Sequence, residues 1–539
     1  MATPEARASS YLGFDFSTQQ LKALAVNDRL EVLCEASVQF DNDLPEYRTQ
    51  NGVNKNRDNL TVTAPPIMWV KALDMVLERL KVAGLDFSTV SAISGCAQQH
   101  GSVYWKRGAS ELLAKLDPSR FLHDQLQGAF SVRDSPVWMD SSTESQCRSL
   151  EAAVGGADRL AEITGSRAFE RFTGNQIAKL RQTRPDAYEN TDRISLVSSF
   201  GASLFLGRYA SIDLSDGSGM NLLDIRTHQW DANCLGACAP QLEAKLGAPV
   251  PSSQVLGTVS PYFVDRYGFP PNCTVVAFTG DNSASLAGFQ LNPGDLLISL
   301  GTSDTVLMWL DEAHPALEGH IMVNPVAPKS FMGILCYKNG SLTRQRVRDQ
   351  CAGASWDLFA SLLDTTPRGN FGNIGTYFDL REILPPVVGD FKFNKNNDRV
   401  AKFSQEVEVR AVVEGQFLAK RVHAKRLGFS FGGRVFATGG ASKNPGIIQV
   451  LADVFGASVY TLGKASANAA CLGAAYLAFY GSHKKDDDAL EFSDVVSNAG
   501  SFTLAAEPNR DAESVYGNMA ERYRSLEQKI ISLQAAKPS

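Results

Sequence analysis

A two-domain α/β architecture is the fold class this sequence predicts, and three observations predict it. The chain has 539 residues, too many for one compact core, so two domains or one large domain with insertions is the expectation. Short apolar runs alternate with segments of helical periodicity along its length. Two stretches also share one outline, an apolar strand, then glycine and small hydroxyl residues, then a second apolar strand: Tyr11–Val26 with Gly13, Ser17 and Thr18, and Leu297–Leu310 with Gly301, Thr302 and Ser303. One such loop near the start of each domain points to an internally duplicated fold; two unrelated hairpins would look the same.

Composition narrows the function classes. The 44% hydrophobic and 20% charged content is that of a globular enzyme, and a net charge of -6 without a basic block argues against a nucleic-acid surface or a polybasic membrane patch. A nucleotide is not excluded, because backbone donors and a metal ion can neutralise its phosphates. No apolar run approaches the ~18 residues of a membrane span, and Met1–Ser10 lacks the apolar core of a signal peptide. The nine cysteines are scattered, and Cys234 and Cys238 have no second pair to complete a zinc site. Reduced thiols and a cytoplasmic location are the expectation. Oligomeric state leaves no mark.

Taken in order, Tyr11–Val26 turns at Asn27-Asp28 into Leu30–Leu33, a hairpin from whose first strand Asp15 projects. Pro65-Pro66 opens a helix with Trp69, Leu73, Val76, Leu77 and Leu80 on one face, closed by Gly84. The strand Ala92–Ala97 ends in Gln98, Gln99 and His100 beside Gly101. An isolated histidine is commonly a structural hydrogen-bonder, but the glutamines and the glycine at a strand end suit a hydroxyl-rich ligand. Asp140 follows Trp138 and Met139, and Arg167, Glu170 and Arg171 precede Thr173-Gly174. Such charges are mostly solvated surface, and Arg171 matters only if the fold brings it to His100 and Asp281.

The central stretch Val275–Thr305 reads as a reaction centre. A buried strand stops at Thr279-Gly280-Asp281-Asn282, presenting a carboxylate and an amide; a second ends in Gly301-Thr302-Ser303, whose N–H and hydroxyl groups can face a phosphate. Asp281 could instead cap the helix that follows. Further on, the indole of Trp356 either packs or stacks on a base. A helix is predicted over Glu406–Leu427 with Gly428 as its C-cap. Arg434–Asn444 is a strand opening into Gly439-Gly440 and a helix from Pro445, where backbone can lie against a flat ligand. Ala465–Phe479 is a small-residue helix for tight packing, His483–Asp488 a solvated loop, and Ala512–Leu533 a helix docked on the second domain.

These stretches together resemble the FGGY carbohydrate kinases, members of the actin and hexokinase fold group, over nearly the whole chain. The motifs fall in that family's order: a first phosphate loop at Asp15–Gln20, Gly280-Asp281-Asn282, a second phosphate loop at Ser299–Thr302, and an adenosine motif at Thr438–Asn444. Gln98–Gly101, Val137–Asp140 and Asp213-Leu214-Ser215 are most similar to its branch of ketopentose kinases, and Leu44–Val53 to the eukaryotic type. Two features depart: Ser142 stands where many members carry arginine, and Lys179-Leu180-Arg181-Gln182 replaces a run ending in tryptophan.

The resemblance implies two actin/hexokinase-like (ribonuclease H-like) domains, 1–290 for sugar and 291–539 for ATP. Each would be a mixed five-stranded sheet flanked by helices, with substrates meeting in an interdomain cleft. It implies Asp281 as general base; His100, Gln99, Arg171, Asn282 and Asp281 on the sugar; Asp15 organising Mg2+; and Thr18, Gly301, Thr302, Trp356, Gly440, Ala441 and Asn444 on ATP. The reaction implied is ATP-dependent phosphorylation of a ketopentose, with another ketose or polyol as near alternative. A non-catalytic, actin-like nucleotide sensor is the alternative of a different class.

Overall fold

The computed structural model describes residues 9–462, 468–487, 489–497, 499–500 and 502–535. The chain divides into two compact units, one of Met1–Gln290, Met322–Phe331 and Asn468–Gly500, the other of Leu291–Ile321, Met332–Ala467 and Ser501–Ser539.

In the first unit β1 (Ser10–Phe16), β2 (Gln20–Asn27) and β3 (Val32–Gln39) form an antiparallel meander. Every residue of β1 is buried, as expected of a central strand covered on both faces. Helix α1 (Pro66–Val82) begins with proline at its first turn, buries Trp69, Leu73, Val76, Leu77 and Leu80, and is followed by Gly84 at φ 97°. It leads to β4 (Val90–Ala97), parallel to β1. Next come α2 (Thr173–Thr183), α3 (Val197–Leu206), β5 (Val255–Thr258), β6 (Thr274–Val276), β7 (Thr279–Gly280) and α4 (Asp281–Gly288). β6 and β7 both run parallel to β4, and β5 is antiparallel to β6. The sheet order is β5-β6-β4-β1-β2-β3, with β7 on β4. The expected single strand into Asp281 is thus two short ones. Ala277 lies between them, its N–H leaving the ladder for Gln254 O.

The second unit repeats this plan. Along it run β8 (Leu296–Leu300), β9 (Asp304–Leu310), β10 (His320–Val323), β11 (Phe331–Tyr337), α5 (Ser341–Cys351), α6 (Trp356–Thr365), α7 (Gln405–Arg426), β12 (Val435–Thr438), α8 (Pro445–Phe455), β13 (Val459–Thr461), β14 (Thr503–Ala506) and α10 (Ala512–Ala535); α9 (Ala469–Lys484) falls in the first unit, as do Met322 and Val323 of β10 and Phe331 of β11. The sheet order is β10-β11-β9-β8-β12-β13-β14. β8 is antiparallel to β9 and parallel to β12, β12 is parallel to β13, and β14 closes antiparallel. Superposing the orders places β8, β9, β12 and β13 on β1, β2, β4 and β6, with one long helix before the third of these in each unit. Duplication, not coincidence, accounts for the two similar loops. Each mixed five-strand core is widened to seven strands.

Tight packing holds the first unit's end helices. A Cβ on Gly473 would lie 1.8 Å from Ala284 O, and one on Gly288 2.0 Å from Ala469 O, so α4 and α9 touch backbone to backbone. Gly13 is forced in the same way, with Cys471 O 2.2 Å from its Cβ position. The first residues of the small-residue segment Ala465–Phe479 lie outside the described residues, as does Asp488. His483 and Lys484 are helical rather than looped: the His483 ring stacks on Phe479 at 4.2 Å, which carries α9 one turn further. The C-terminal helix α10 docks on α7 through Tyr516, whose hydroxyl donates to Glu414 at 2.6 Å. No helix among the described residues is long and apolar enough to cross a membrane.

Candidate active site

Parallel pairing decides where the first unit's polar residues meet. Asp15 is opposite Cys96 in the β1–β4 ladder, and Gly280 opposite Ala97 in the β4–β7 ladder. Asp15, the Gln98–His100 tip and Asp281 therefore leave the sheet at the carboxyl ends of adjacent strands, where α/β sheets hold ligands. Asp281 is the first residue of α4, with Gly280 as N-cap. Its Oδ1 accepts from Asn282 N, the N2 amide, at 2.8 Å and from Asn282 Nδ2 at 3.1 Å, so it satisfies one free amide of the helix start from the N1 position, while the N-cap position itself belongs to Gly280. Asn282 Nδ2 also donates to Gln99 Oε1 at 2.8 Å. Asp281, Asn282 and Gln99 form one linked group.

Burial, and then the charge of Asp15, push the Asp281 carboxyl up to about 7, although N–H groups of Asn282, Gln99 and Asp281 itself oppose the shift. Burial also raises Asp15, against the Ser17 hydroxyl, Lys22 and Cys96. Asp15 Oδ2 accepts from Ser17 at 2.6 Å, whereas its Oδ1 is buried with no partner. Two close carboxylates, one with an orphaned oxygen, fit a divalent cation. The described residues contain no cluster of three or more His, Cys, Asp or Glu that could hold a metal ion.

His100 sits at φ 70°, a left-handed conformation uncommon away from functional turns. Its Nδ1 donates to Gly219 O at 2.8 Å, and its ring stacks on Phe172 at 4.4 Å. Burial, then the charge of Arg171, hold its pKa down at about 3. The ring is neutral, with Nε2 left as an acceptor suited to a hydroxyl. Arg171 thus comes close enough to His100 to act on it, and lies over the Phe169 ring at 5.5 Å. Thr18 accepts from Trp138 Nε1 at 2.8 Å. Gly52, in the Leu44–Val53 segment, leaves only 1.9 Å between its Cβ position and Thr18 O.

Three more buried groups lie here; sequence reasoning named Gln98 in the polar tip and Asp213 in a motif, but not Asp216. Gln98 has neither amide atom partnered, and Asp216 Oδ1 is likewise orphaned, 2.9 Å from the Cβ position of Gly280. Asp213 accepts from Ser252 and Thr279 hydroxyls and from Ser215 and Asp216 N–H groups, while burial and the Asp213 charge raise Asp216 well above the carboxylate range. The strand ends were legible; that a short helix would bury two more aspartates beside them was not. Asp140 is a structural hub, accepting from Val62 N at 2.9 Å and Gln176 Nε2 at 2.8 Å. Ser142, at the position of the missing arginine, bonds both Asp140 and Lys179.

In the second unit β8 and β12 run parallel with Ser299 opposite Thr438, so the turns after them leave one edge together. Gly439, at φ 87°, lies 2.4 Å by its Cβ position from Leu300 O. Gly301 is half-buried, Thr302 and Gly440 are exposed, and Ala441 and Asn444 half-buried. Asn444 caps α8, its Oδ1 accepting from Ile447 N at 3.1 Å, which leaves its amide nitrogen for a ligand. Trp356, 40% exposed at the start of α6, meets Phe359 edge-on and has Arg348 over its ring.

Comparison with known proteins gives this arrangement relatives. Residues 128–288 match the FGGY family of carbohydrate kinases, N-terminal domain, and residues 296–482 its C-terminal domain. The rat protein Xylulose kinase (Rattus norvegicus) is 57% identical over 523 residues, 97% of each chain. Xylulose kinase 2 of Arabidopsis thaliana is 49% identical over 488 residues, covering 88% of this chain and 87% of that one. Among solved structures, xylulose kinase from Rhodospirillum rubrum aligns with a TM-score of 0.79 at 17% identity over 98% of this chain and 100% of its own, a likeness of fold.

Proposed function

The chain belongs to the FGGY family of carbohydrate kinases and is a carbohydrate kinase, and we propose that it phosphorylates D-xylulose with ATP to give D-xylulose 5-phosphate. The observation that carries the substrate is the identity of 57% to a relative named Xylulose kinase, over 97% of both chains. The chemistry rests on Asp281. A carboxyl pushed up to about 7 is matched to taking a proton near neutral pH. In this reading Asp281 accepts the proton of the sugar's terminal hydroxyl as that oxygen attacks the γ-phosphorus, and the bond to the β-phosphate oxygen breaks to release ADP. Such transfer asks for alignment and charge neutralisation.

His100 Nε2, Asn282, Gln99 and Arg171 orient the remaining hydroxyls; Asp281 is itself among the sugar contacts. Asp15 with its orphaned Oδ1 would hold Mg2+, which neutralises phosphate charge when bound. Gly301 and Thr302, with Thr18, face phosphates, while Trp356, Gly440, Ala441 and Asn444 take adenosine. Residues 1–290 thus carry the acceptor side and 291–539 the donor side. All nine cysteines are thiols, which suits a reducing cytoplasm.

A coupled ADP-release assay across ketoses and polyols tests the substrate. D-xylulose should give the highest kcat/KM under saturating ATP. Much faster turnover of D-ribulose or xylitol would replace the assignment, and ATP binding with no turnover of any sugar would favour the sensor reading.

A further inference from the structure

A buried charge cluster lies behind the Gly301–Ser303 turn. Asp304, the first residue of β9, accepts from Arg344 Nη1 at 2.9 Å and Nη2 at 3.1 Å, and from Lys420 Nζ at 2.9 Å. The three side chains are at most 1% exposed. Burial works against the Asp304 charge, yet Lys420 and then Arg344 hold its carboxyl below the usual range. Sinking three charges in a core is costly, and apolar side chains of similar volume often serve stability as well. The cluster therefore calls for a role beyond holding α5 and α7 to the sheet.

Its outward connections supply one. Arg344 Nη1 also donates to Gln416 Oε1 at 2.7 Å, and Gln416 Nε2 donates to Asn339 O at 2.8 Å and Gly340 O at 3.3 Å. Ser341 N donates to Gly301 O at 2.8 Å. Gly340 has no room for a side chain: a Cβ there would lie 2.6 Å from Thr302 O and 2.8 Å from both Gly301 O and Asp304 Oδ1. The 339–341 segment lies flush against the 301–303 turn, and the charges sit at the joint. A fork-shaped guanidinium fixes Asp304 in two directions, and Lys420 fixes its Oδ2 in a third.

We infer that Asp304, Arg344 and Lys420 are positioning residues that hold the Gly301–Ser303 turn in shape for the phosphates of a nucleoside triphosphate. The inference rests on the phosphate reading of that turn. The residues touch no ligand themselves; they order its exposed donors beforehand, which spares ordering on binding.

Titration calorimetry of the full-length protein with ATP, adenosine and D-xylulose tests it in Asp304→Asn, Lys420→Met and Arg344→Lys. ATP should weaken about tenfold or more in the first two while adenosine and D-xylulose stay within about twofold. Arg344→Lys, keeping the charge and losing the fork, should lose less. Equal weakening of ATP and adenosine, or unchanged ATP affinity, would overturn the inference. Should Asp304→Asn not fold, Lys420→Met still carries the test, because the Arg344 fork remains. Gly301→Val separates the two layers. If it spares ATP relative to adenosine, the phosphate reading itself fails; if it weakens ATP and the cluster variants do not, only the positioning role fails.

Discussion

The two equivalent hairpin turns each carry an aspartate and treat it in opposite ways. Asp15, near the end of β1, is buried with one oxygen unpartnered and lies close enough to a second carboxylate, Asp281, for its charge to raise that group's pKa. Asp304, at the start of β9, is buried with both oxygens taken by Arg344 and Lys420. A half-satisfied carboxylate retains a demand for a cation; a saturated one has none and can only hold its neighbours in place. On the proposed reading, one supersecondary unit thus yields an edge that takes a cation and a rigid edge that faces phosphates, according to what the surrounding helices send in.

The sharpest way to break this comparison is at Asp281. Asp281→Ala should lower kcat about 10²-fold or more while D-xylulose affinity in calorimetry is largely kept; wild-type-like turnover would remove the base assignment. Next, Asp15→Asn should raise the Mg2+ concentration for half-maximal rate about tenfold, in line with a lost charged contact. An unchanged Mg2+ titration would mean the orphaned oxygen serves something else.

Gly473→Ala tests the framework. Its Cβ would meet Ala284 O at 1.8 Å, and overpacking of this kind should cost about 1–3 kcal/mol in denaturant unfolding. Smaller again is the pH effect. With Asp281 at about 7, its base form is lost as pH falls through that value. kcat/KM for the sugar should therefore decline on the acid side. In Asp15→Asn the limb should move to lower pH, because one of the two upward causes is gone while burial remains. His100 should add no limb between pH 5 and 9, since its pKa of about 3 keeps it neutral there.

Much of this was legible because the informative residues are local. The β1–β2 hairpin, the polar tip after β4, and the Gly-Asp-Asn and Gly-Thr-Ser turns are each a strand stopping at small or polar residues, a pattern readable within ten residues. α1, α7 and α10 announced themselves by apolar spacing, and α1 and α7 also by terminal proline or glycine. What escaped depends on long-range pairing. Nothing near Asp304 hints that Arg344 and Lys420 will saturate it, and Lys420 lies within a helix whose apolar face gives no sign of a buried ammonium. Asp216, and the unpartnered burial of Gln98, were hidden because burial of a polar group is a property of the assembled layers. The break between β6 and β7 was hidden too, because Val275–Phe278 is apolar throughout and only Gln254 reveals where the ladder is left.

The division of labour between the turns is tested most directly by one binding matrix, D-xylulose and ATP titrated into His100→Ala and Gly340→Ala. His100→Ala should weaken D-xylulose about 2- to 10-fold, the worth of one hydrogen bond, and leave ATP unchanged. Gly340→Ala, which forces the 301–303 turn outward, should weaken ATP and leave D-xylulose unchanged. The reverse pattern, or equal weakening of both ligands by either variant, would contradict the assignment of acceptor to the first unit and donor to the second.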